Sequence, residues 1–333
     1  MLLDIRNLSI MLRMETEYLQ VCKGVDLSIN EGEICSLVGS SGSGKSIIIK
    51  AIMGMYGHDM KVTVDNFRFM NCDLTNVDVN TRRKILSREI AIIFQEARAS
   101  LDPALPVGTQ MKNSLSYRSF DDKWYRLPFW KNRTINNVLH KVGIKDTKII
   151  LRSLPHQLSE ILCQKIIIAM ALARKPKLLI ADSPISGMTS SSQLQILKLF
   201  HSYAENQKGT LLYITNDLGP ASNLMDTIKM LYCGKIVESG SKEQVINNPH
   251  HPFTQSMINA IPDFNRQQKI KTRFDVLGGD PPEFTRTPIG CPLGPRCPYA
   301  DKECNSMPPI TKVKNGYFRC YYPLNMEKDS ELK

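Results

Sequence analysis

The sequence lacks any long hydrophobic run, which argues against a chain that crosses a membrane by itself. A transmembrane helix needs about 18 or more consecutive apolar residues, and the best apolar run here, Ile166–Ala173, is far shorter. The first residues, Met1–Arg6, also lack the charged start and apolar stretch of a secretory signal peptide. We therefore expect a cytoplasmic chain.

Internal repeats and long single-sign charge blocks are absent as well. The net charge is nevertheless +11, with a pI near 9.2, and a basic surface suits nucleic acid or an anionic membrane face. Because the basic residues are spread in short clusters, we interpret most of them as ordinary solvated faces. With 333 residues, 42% of them hydrophobic, the chain can bury the core of one large domain or two smaller ones.

A glycine- and serine-rich segment carries the strongest chemical signal. It fits the phosphate-binding pattern G-x-x-x-x-G-K-[ST] at every required position. A buried strand is predicted before it and a buried helix after it, which is the setting that the motif needs. Backbone N–H groups and the helix N-terminus would then surround phosphate oxygens. The residues are Gly39, Ser40, Ser41, Gly42, Ser43, Gly44, Lys45 and Ser46.

Strand and helix patterns alternate along much of the chain. This alternation predicts an α/β fold whose parallel sheet is covered on both faces and binds its ligand at the carboxyl ends of the strands. A helix is predicted near residues 192–206, and the alternation of apolar and polar residues predicts strands within residues 1–30. Apolar runs predict strands at residues 33–38, 89–94, 178–182 and 210–215.

Two regions depart from this alternation. Residues 98–160 carry helical patterns and no convincing strand, so we predict a helical insertion there. Beyond about residue 262 the chain becomes rich in Pro, Gly and Cys, and we predict a domain boundary at that point.

Four of the nine cysteines gather in this last region. Their spacing is C-x₅-C-x₆-C-x₁₅-C, wider than the paired C-x₂-C spacing common at structural zinc. Four thiolates can hold an iron–sulfur cluster or zinc, and reduced free thiols are the alternative. The residues are Cys291, Cys297, Cys304 and Cys320.

These motifs, in this order, resemble the ATP-binding subunits of ABC transporters. The resemblance rests on the phosphate loop, Gln95 and three further segments, residues 158–164, 178–182 and 215–217. Two tail segments are similar to the oligopeptide and dipeptide importer branch of that family, namely residues 250–254 and 288–300.

The resemblance implies an architecture. It predicts a P-loop, RecA-like ATP-binding domain over residues 1–261, with an antiparallel β subdomain and a helical subdomain at about 98–173. A small Cys-rich extension would cover residues 262–333, and the branch favours a 4Fe-4S cluster over zinc at its four cysteines.

The resemblance also implies ligands and partners. ATP and Mg²⁺ would be bound, with Mg²⁺ contacted by Ser46, Gln95 and Asp182. Ser159, in the family's signature segment, would face the γ-phosphate held by a second ATP-binding subunit. Two permease subunits and a periplasmic peptide-binding protein would complete an importer, with this chain on the cytoplasmic face of the inner membrane.

Several positions depart from the family pattern. Ser183 stands where the family has a glutamate that acts on water, and Asn216 stands where it has a histidine. In the signature segment, Glu160 and Ile161 replace two glycines. We therefore hypothesise that the chain binds MgATP well and cleaves it poorly, with Gln95, Ser183 and Asn216 at the positions where cleavage is assisted.

Two other functions stay open. The first alternative is a regulatory or scaffold subunit that acts through ATP binding and not through ATP cleavage. A soluble ABC protein acting on nucleic acid is suggested by the charge alone, and its usual pair of ATP-binding halves is not matched by the one phosphate loop here.

Overall fold

The computed structural model describes residues 1–15, 17–115, 130–219, 222–261 and 277–326, without the side chains of residues 206 and 207. The predicted boundary near residue 262 lies outside the described residues. The chain forms two compact units. The first comprises residues 1–30, 34–83 and 214–333, and the second comprises residues 31–33 and 84–213, in each case as far as they are described.

The first unit contains an antiparallel sheet made by the start of the chain. Its long central strand pairs on one side with its successor, in a register that runs from Leu3 opposite Ile29 to Arg13 opposite Tyr18. On its other side it pairs with two short strands. The antiparallel β subdomain is therefore present. The strands are β1 (Leu3–Arg13), β2 (Tyr18–Ile29), β4 (Met60–Thr63), β5 (Asn66–Phe69) and β6 (Cys72–Asp73).

The second set of strands in this unit is built around β3 (Ile34–Val38), which is buried at every position. It pairs in parallel with β10 (Thr227–Tyr232). Antiparallel pairing then joins β10 to β11 (Lys235–Ser241), β11 to β13 (Gly316–Phe318) and β13 to β12 (Thr311–Val313). The helices are α1 (Lys45–Met53), α8 (Lys242–Asn247) and α9 (Pro252–Asn259).

The second unit combines buried strands with helices. Parallel pairing joins β7 (Ile90–Ile93) to β8 (Leu178–Asp182). The strand β9 (Thr210–Thr215) is also buried throughout, and its first four residues belong to this unit. Along the chain, α2 (Val79–Glu89) precedes this unit's first strand. The other helices are α3 (Val107–Ser114), α4 (Trp130–Lys141), α5 (Thr147–Arg152), α6 (Glu160–Ala173) and α7 (Ser190–Gln207).

The predicted helical insertion is confirmed for the described part of residues 98–160, which contains helices and 3₁₀ turns and no strand. In the described residues, no helix is long and apolar enough to cross a membrane. The architecture is the α/β cassette that the sequence predicts.

Candidate functional site

The Gly39–Ser46 loop joins β3 to α1 in a conformation that depends on glycine. Gly42 and Gly44 have backbone φ values of 73° and 104°, which residues other than glycine rarely adopt. A Cβ on Gly39 would lie 2.2 Å from the Leu231 carbonyl oxygen. The Ser43 N–H closes the loop by donating to the Ser40 carbonyl at 3.2 Å.

Lys45 begins α1, and its ammonium group lies in the curve of this loop. It donates to the carbonyl oxygens of Gly39 and Ser40 at 2.9 and 2.7 Å and to Ser43 Oγ at 3.3 Å, and the residue is buried. A buried cation at the start of a helix, in a glycine-rich loop, is an arrangement suited to binding a phosphate group.

The segment after β9 lies beside this loop, because the Gly39 N–H donates to the Thr215 carbonyl at 3.3 Å. Thr215 Oγ1 accepts from the Asp217 N–H, and Asp217 Oδ1 accepts from the Gly219 N–H. These bonds fix a turn in which Asn216 is exposed. The first unit therefore holds both the phosphate loop and Asn216.

The second unit places Asp182 and Ser183 at the carboxyl end of β8. Asp182 is buried, at 4% exposure. Ser183 has a φ of 48°, in the left-handed region, and Gln164 of α6 donates to the carbonyl of the next residue, Pro184, at 3.1 Å. Gln95 follows β7, the parallel neighbour of β8, and is exposed.

The predicted signature segment forms the start of α6. Ser159 is its N-cap residue, and its hydroxyl accepts from the Leu162 N–H at 3.3 Å. An accepting hydroxyl keeps its own hydrogen for donation, so the cap does not prevent a bond from Ser159 to a phosphate. Glu160 follows and is held by Arg98, which contacts both of its carboxylate oxygens.

The four tail cysteines lie near one another, but the expected cluster is not supported. The pKa of the Cys320 thiol is raised to about 12, mainly by burial and in smaller part by the neighbouring thiols of Cys291, Cys297 and Cys304. The Cys291 N–H donates to the Cys304 carbonyl at 2.9 Å. Among the described side chains, however, no three His, Cys, Asp or Glu residues are placed to hold a metal ion.

Sequence reasoning missed two residues that contact the predicted motifs. The Gly234 N–H donates to the Ser43 carbonyl at 3.0 Å, and a Cβ on Gly234 would lie 1.8 Å from the Val21 carbonyl oxygen. Arg98 was missed because its contacts join it to residues about 60 positions away. The only sequence signal was a basic residue three positions after Gln95.

Two family profiles match the chain. The ABC transporter family matches residues 22–186, and the oligopeptide/dipeptide transporter C-terminal region matches residues 237–304. Among solved structures, the dimeric ATP-binding cassette MJ0796 bound to ADP and Pi covers 72% of this chain and 99% of its own, at a TM-score of 0.62 and 24% identity. This likeness concerns the fold.

Curated relatives extend over nearly the full length. The peptide transport system ATP-binding protein SapD of Escherichia coli O6:H1 is 43% identical over 98% of this chain and 99% of the relative. SapD of Haemophilus influenzae is also 43% identical, over 98% and 94%. The dipeptide transport ATP-binding protein DppD of E. coli K12 is 34% identical, over 97% of each. The chain therefore belongs to the ABC transporter family, in its oligopeptide/dipeptide transporter branch.

Proposed function

We propose that the chain is the ATP-binding subunit of a peptide importer and couples ATP binding to transport. The observation that carries this proposal is the phosphate loop, with its glycine-dependent curve and its buried Lys45. Relatives named for peptide and dipeptide transport support the cargo class.

Within this proposal, each predicted residue has a stated part in binding MgATP. Lys45 would exchange its bonds to loop carbonyls for bonds to the β- and γ-phosphates, while the Ser46 hydroxyl, Gln95 and Asp182 would hold Mg²⁺. Bound Mg²⁺ withdraws negative charge from the phosphates. Ser159, as an N-cap hydroxyl with a free hydrogen, would serve the ATP of a second subunit.

Cleavage is the weaker half of the proposed cycle. A serine hydroxyl cannot accept a proton near neutral pH, and an asparagine amide carries no positive charge. Ser183 and Asn216 therefore leave the attacking water to other groups, of which Gln95 is the candidate. The alternative is a hydrolysis-deficient regulatory or scaffold subunit, and the same two residues favour it.

The proposed assembly needs several partners. They are a sister ATP-binding subunit (SapF-like), two permease subunits and, indirectly, a periplasmic peptide-binding protein. The chain would associate peripherally with the cytoplasmic face of the inner membrane. The names of the relatives, which specify peptide and dipeptide transport, support this arrangement.

The tail carries a separate proposal, that its four cysteines hold a 4Fe-4S cluster or zinc after their side chains rearrange. It is supported by their clustering and by mutual effects on their thiol pKa values. Two cations, Lys235 and Arg319, lie near each other, and Lys235 lies near Cys291, where positive charge would offset thiolate charge. Anaerobic purification followed by iron and zinc analysis should give a stoichiometric metal, and a metal-free folded tail would contradict the proposal.

Single-turnover ATP cleavage tests the main proposal. The complex is reconstituted with its sister subunit and permeases, and product is followed with radiolabelled ATP. Cleavage faster than the uncatalysed rate, lost in a Lys45→Ala variant, supports an ATP-driven importer. Tight binding without cleavage gives the regulatory function instead, and no binding at all contradicts both.

A further inference from the structure

Glu160 places a carboxylate in the segment that, under the proposed function, faces a triphosphate. Two like charges at short distance are unfavourable in a site that excludes water. As the first residue of α6, this acid also stabilises the helix through its dipole. Something must therefore offset the charge if the segment is to approach phosphate.

Arg98 supplies that offset through three contacts within the second unit. Its backbone N–H donates to Glu160 Oε1 at 3.1 Å, and its Nε lies 3.5 Å from Oε2. Its Nη2 also donates to the Leu158 carbonyl at 2.8 Å. One arginine thus holds the residues on both sides of Ser159.

The backbone of Arg98 belongs to the 3₁₀ turn Arg98–Ser100, which follows Gln95. A rotation of this turn would move the guanidinium and, with it, the start of α6. Cys163, one helical turn further along α6, lies near Arg98: burial raises the pKa of its thiol, and the positive charge of Arg98 opposes this rise. The contacts therefore join the Gln95 segment to the Ser159 segment.

We propose, resting on the proposed function, that Arg98 is a positioning residue that neutralises Glu160 and ties the Ser159 segment to the Gln95 segment, so that an acidic signature segment can face the partner's triphosphate. Arg98 and Glu160 side chains are 46% and 57% exposed. Such an exposed pair contributes little to folding stability. Its loss should therefore affect nucleotide response and leave the fold intact.

Four variants of the full chain in the assembled transporter test the proposal: Arg98→Ala, Glu160→Gln, the double variant, and Arg152→Ala as a matched control. Arg152 is an exposed arginine of α5. The readout is the MgATP concentration that half-saturates closure of the two ATP-binding subunits, followed by energy transfer between dyes attached to them.

Arg98→Ala should raise this concentration about tenfold, because Glu160 loses the guanidinium charge and keeps only the bond from the backbone N–H of residue 98. Adding Glu160→Gln should restore it to within about twofold, since the repelling charge is then gone. Arg152→Ala should behave as the wild type, and unfolding temperatures of all variants should agree within a few degrees.

MgATP binding to the isolated full chain separates two kinds of failure. If the wild-type chain does not bind MgATP, the proposed function fails, and the role of Arg98 with it. If it binds but the double variant stays as weak as Arg98→Ala, only the role of Arg98 is overturned. A wild-type response of Arg98→Ala would overturn that role as well.

Discussion

Under the proposed function, Ser183 stands at the position where the family pattern has the residue that acts on water. It directly follows the buried Asp182 and has a left-handed φ of 48°. Serine already carries a Cβ, so a glutamate here adds no backbone strain beyond what the native residue bears. The position therefore accepts the side chain that the family pattern expects.

We predict that Ser183→Glu together with Asn216→His increases single-turnover cleavage by the assembled complex. A general base that acts on water contributes roughly 10²- to 10⁴-fold, and a histidine can donate a hydrogen bond to the phosphate and, when protonated, carries a positive charge. MgATP affinity should change little, because Lys45 and the phosphate loop are untouched. Rapid quenching with labelled ATP measures the rate.

The added cleavage must depend on the phosphate loop. Introducing Lys45→Ala into the same double variant should abolish the gain. An unchanged cleavage rate in the double variant would show that other groups already perform this step, and poor cleavage could not then be assigned to Ser183 and Asn216.

At the scale of an element, α9 begins with a buried histidine. His251 is its N-cap residue, and Nδ1 accepts from the Phe253 N–H at 3.1 Å. The His251 N–H donates to Glu238 of β11, whose other carboxylate oxygen accepts from the His250 N–H. Leu324 of the tail in turn donates its N–H to the His250 carbonyl at 2.9 Å. The cap therefore lies where strand, helix and tail meet.

This cap predicts a loss of stability in acid. Burial lowers the pKa of His251 from 6.5 to about 3, so the folded chain keeps a neutral imidazole that the unfolded chain protonates first. Stability is then fully present above pH 6.5 and falls as the pH decreases towards 3. At pH 5 the free energy of unfolding should be about 2 kcal/mol lower than above pH 6.5.

The variant His251→Asn should flatten this dependence, because asparagine caps helices well and does not titrate. Urea unfolding between pH 7 and 5 measures how steeply the free energy of unfolding changes with pH. A constant loss of stability caused by the smaller asparagine side chain does not affect this slope. Glu238, whose pKa burial raises, opposes the trend in both proteins and cancels in the comparison. The matched control is His58→Asn at an exposed site. Equal slopes for wild type and His251→Asn would rule out His251 as the acid-sensitive group.

Element by element, the sequence was informative where structure is local. The strands β3, β7, β8 and β9 were predicted because each is a short apolar run bounded by turn residues, and each is confirmed. The pairing of β13 with β11 joins residues about 80 positions apart. No local pattern indicates such a partner, and the same holds for the contacts of Arg98. The setting of the Gly39–Ser46 loop between a strand and a helix could be predicted because its pattern lies in eight consecutive residues, and its binding of phosphate stays a prediction.

At the scale of the whole molecule, charge and architecture favour different partners. A net charge of +11 would suit nucleic acid or anionic lipid, whereas the cassette fold and full-length relatives suit a transporter. These alternatives differ in salt dependence. Contacts to phosphate release counterions and weaken steeply with salt, while packed protein interfaces do not.

We predict that the chain, coexpressed with its sister subunit and permeases, is recovered with the membrane fraction and stays there in about 0.5 M salt, where the Debye length is only about 4 Å. Membranes from cells without the permeases are the control, and they should release the chain at that salt concentration because only charge attraction to lipid retains it. Sedimentation followed by immunodetection measures the bound share. Equal retention with and without permeases would contradict the transporter assembly, and salt-sensitive binding to RNA at physiological ionic strength would favour the nucleic-acid function in its place.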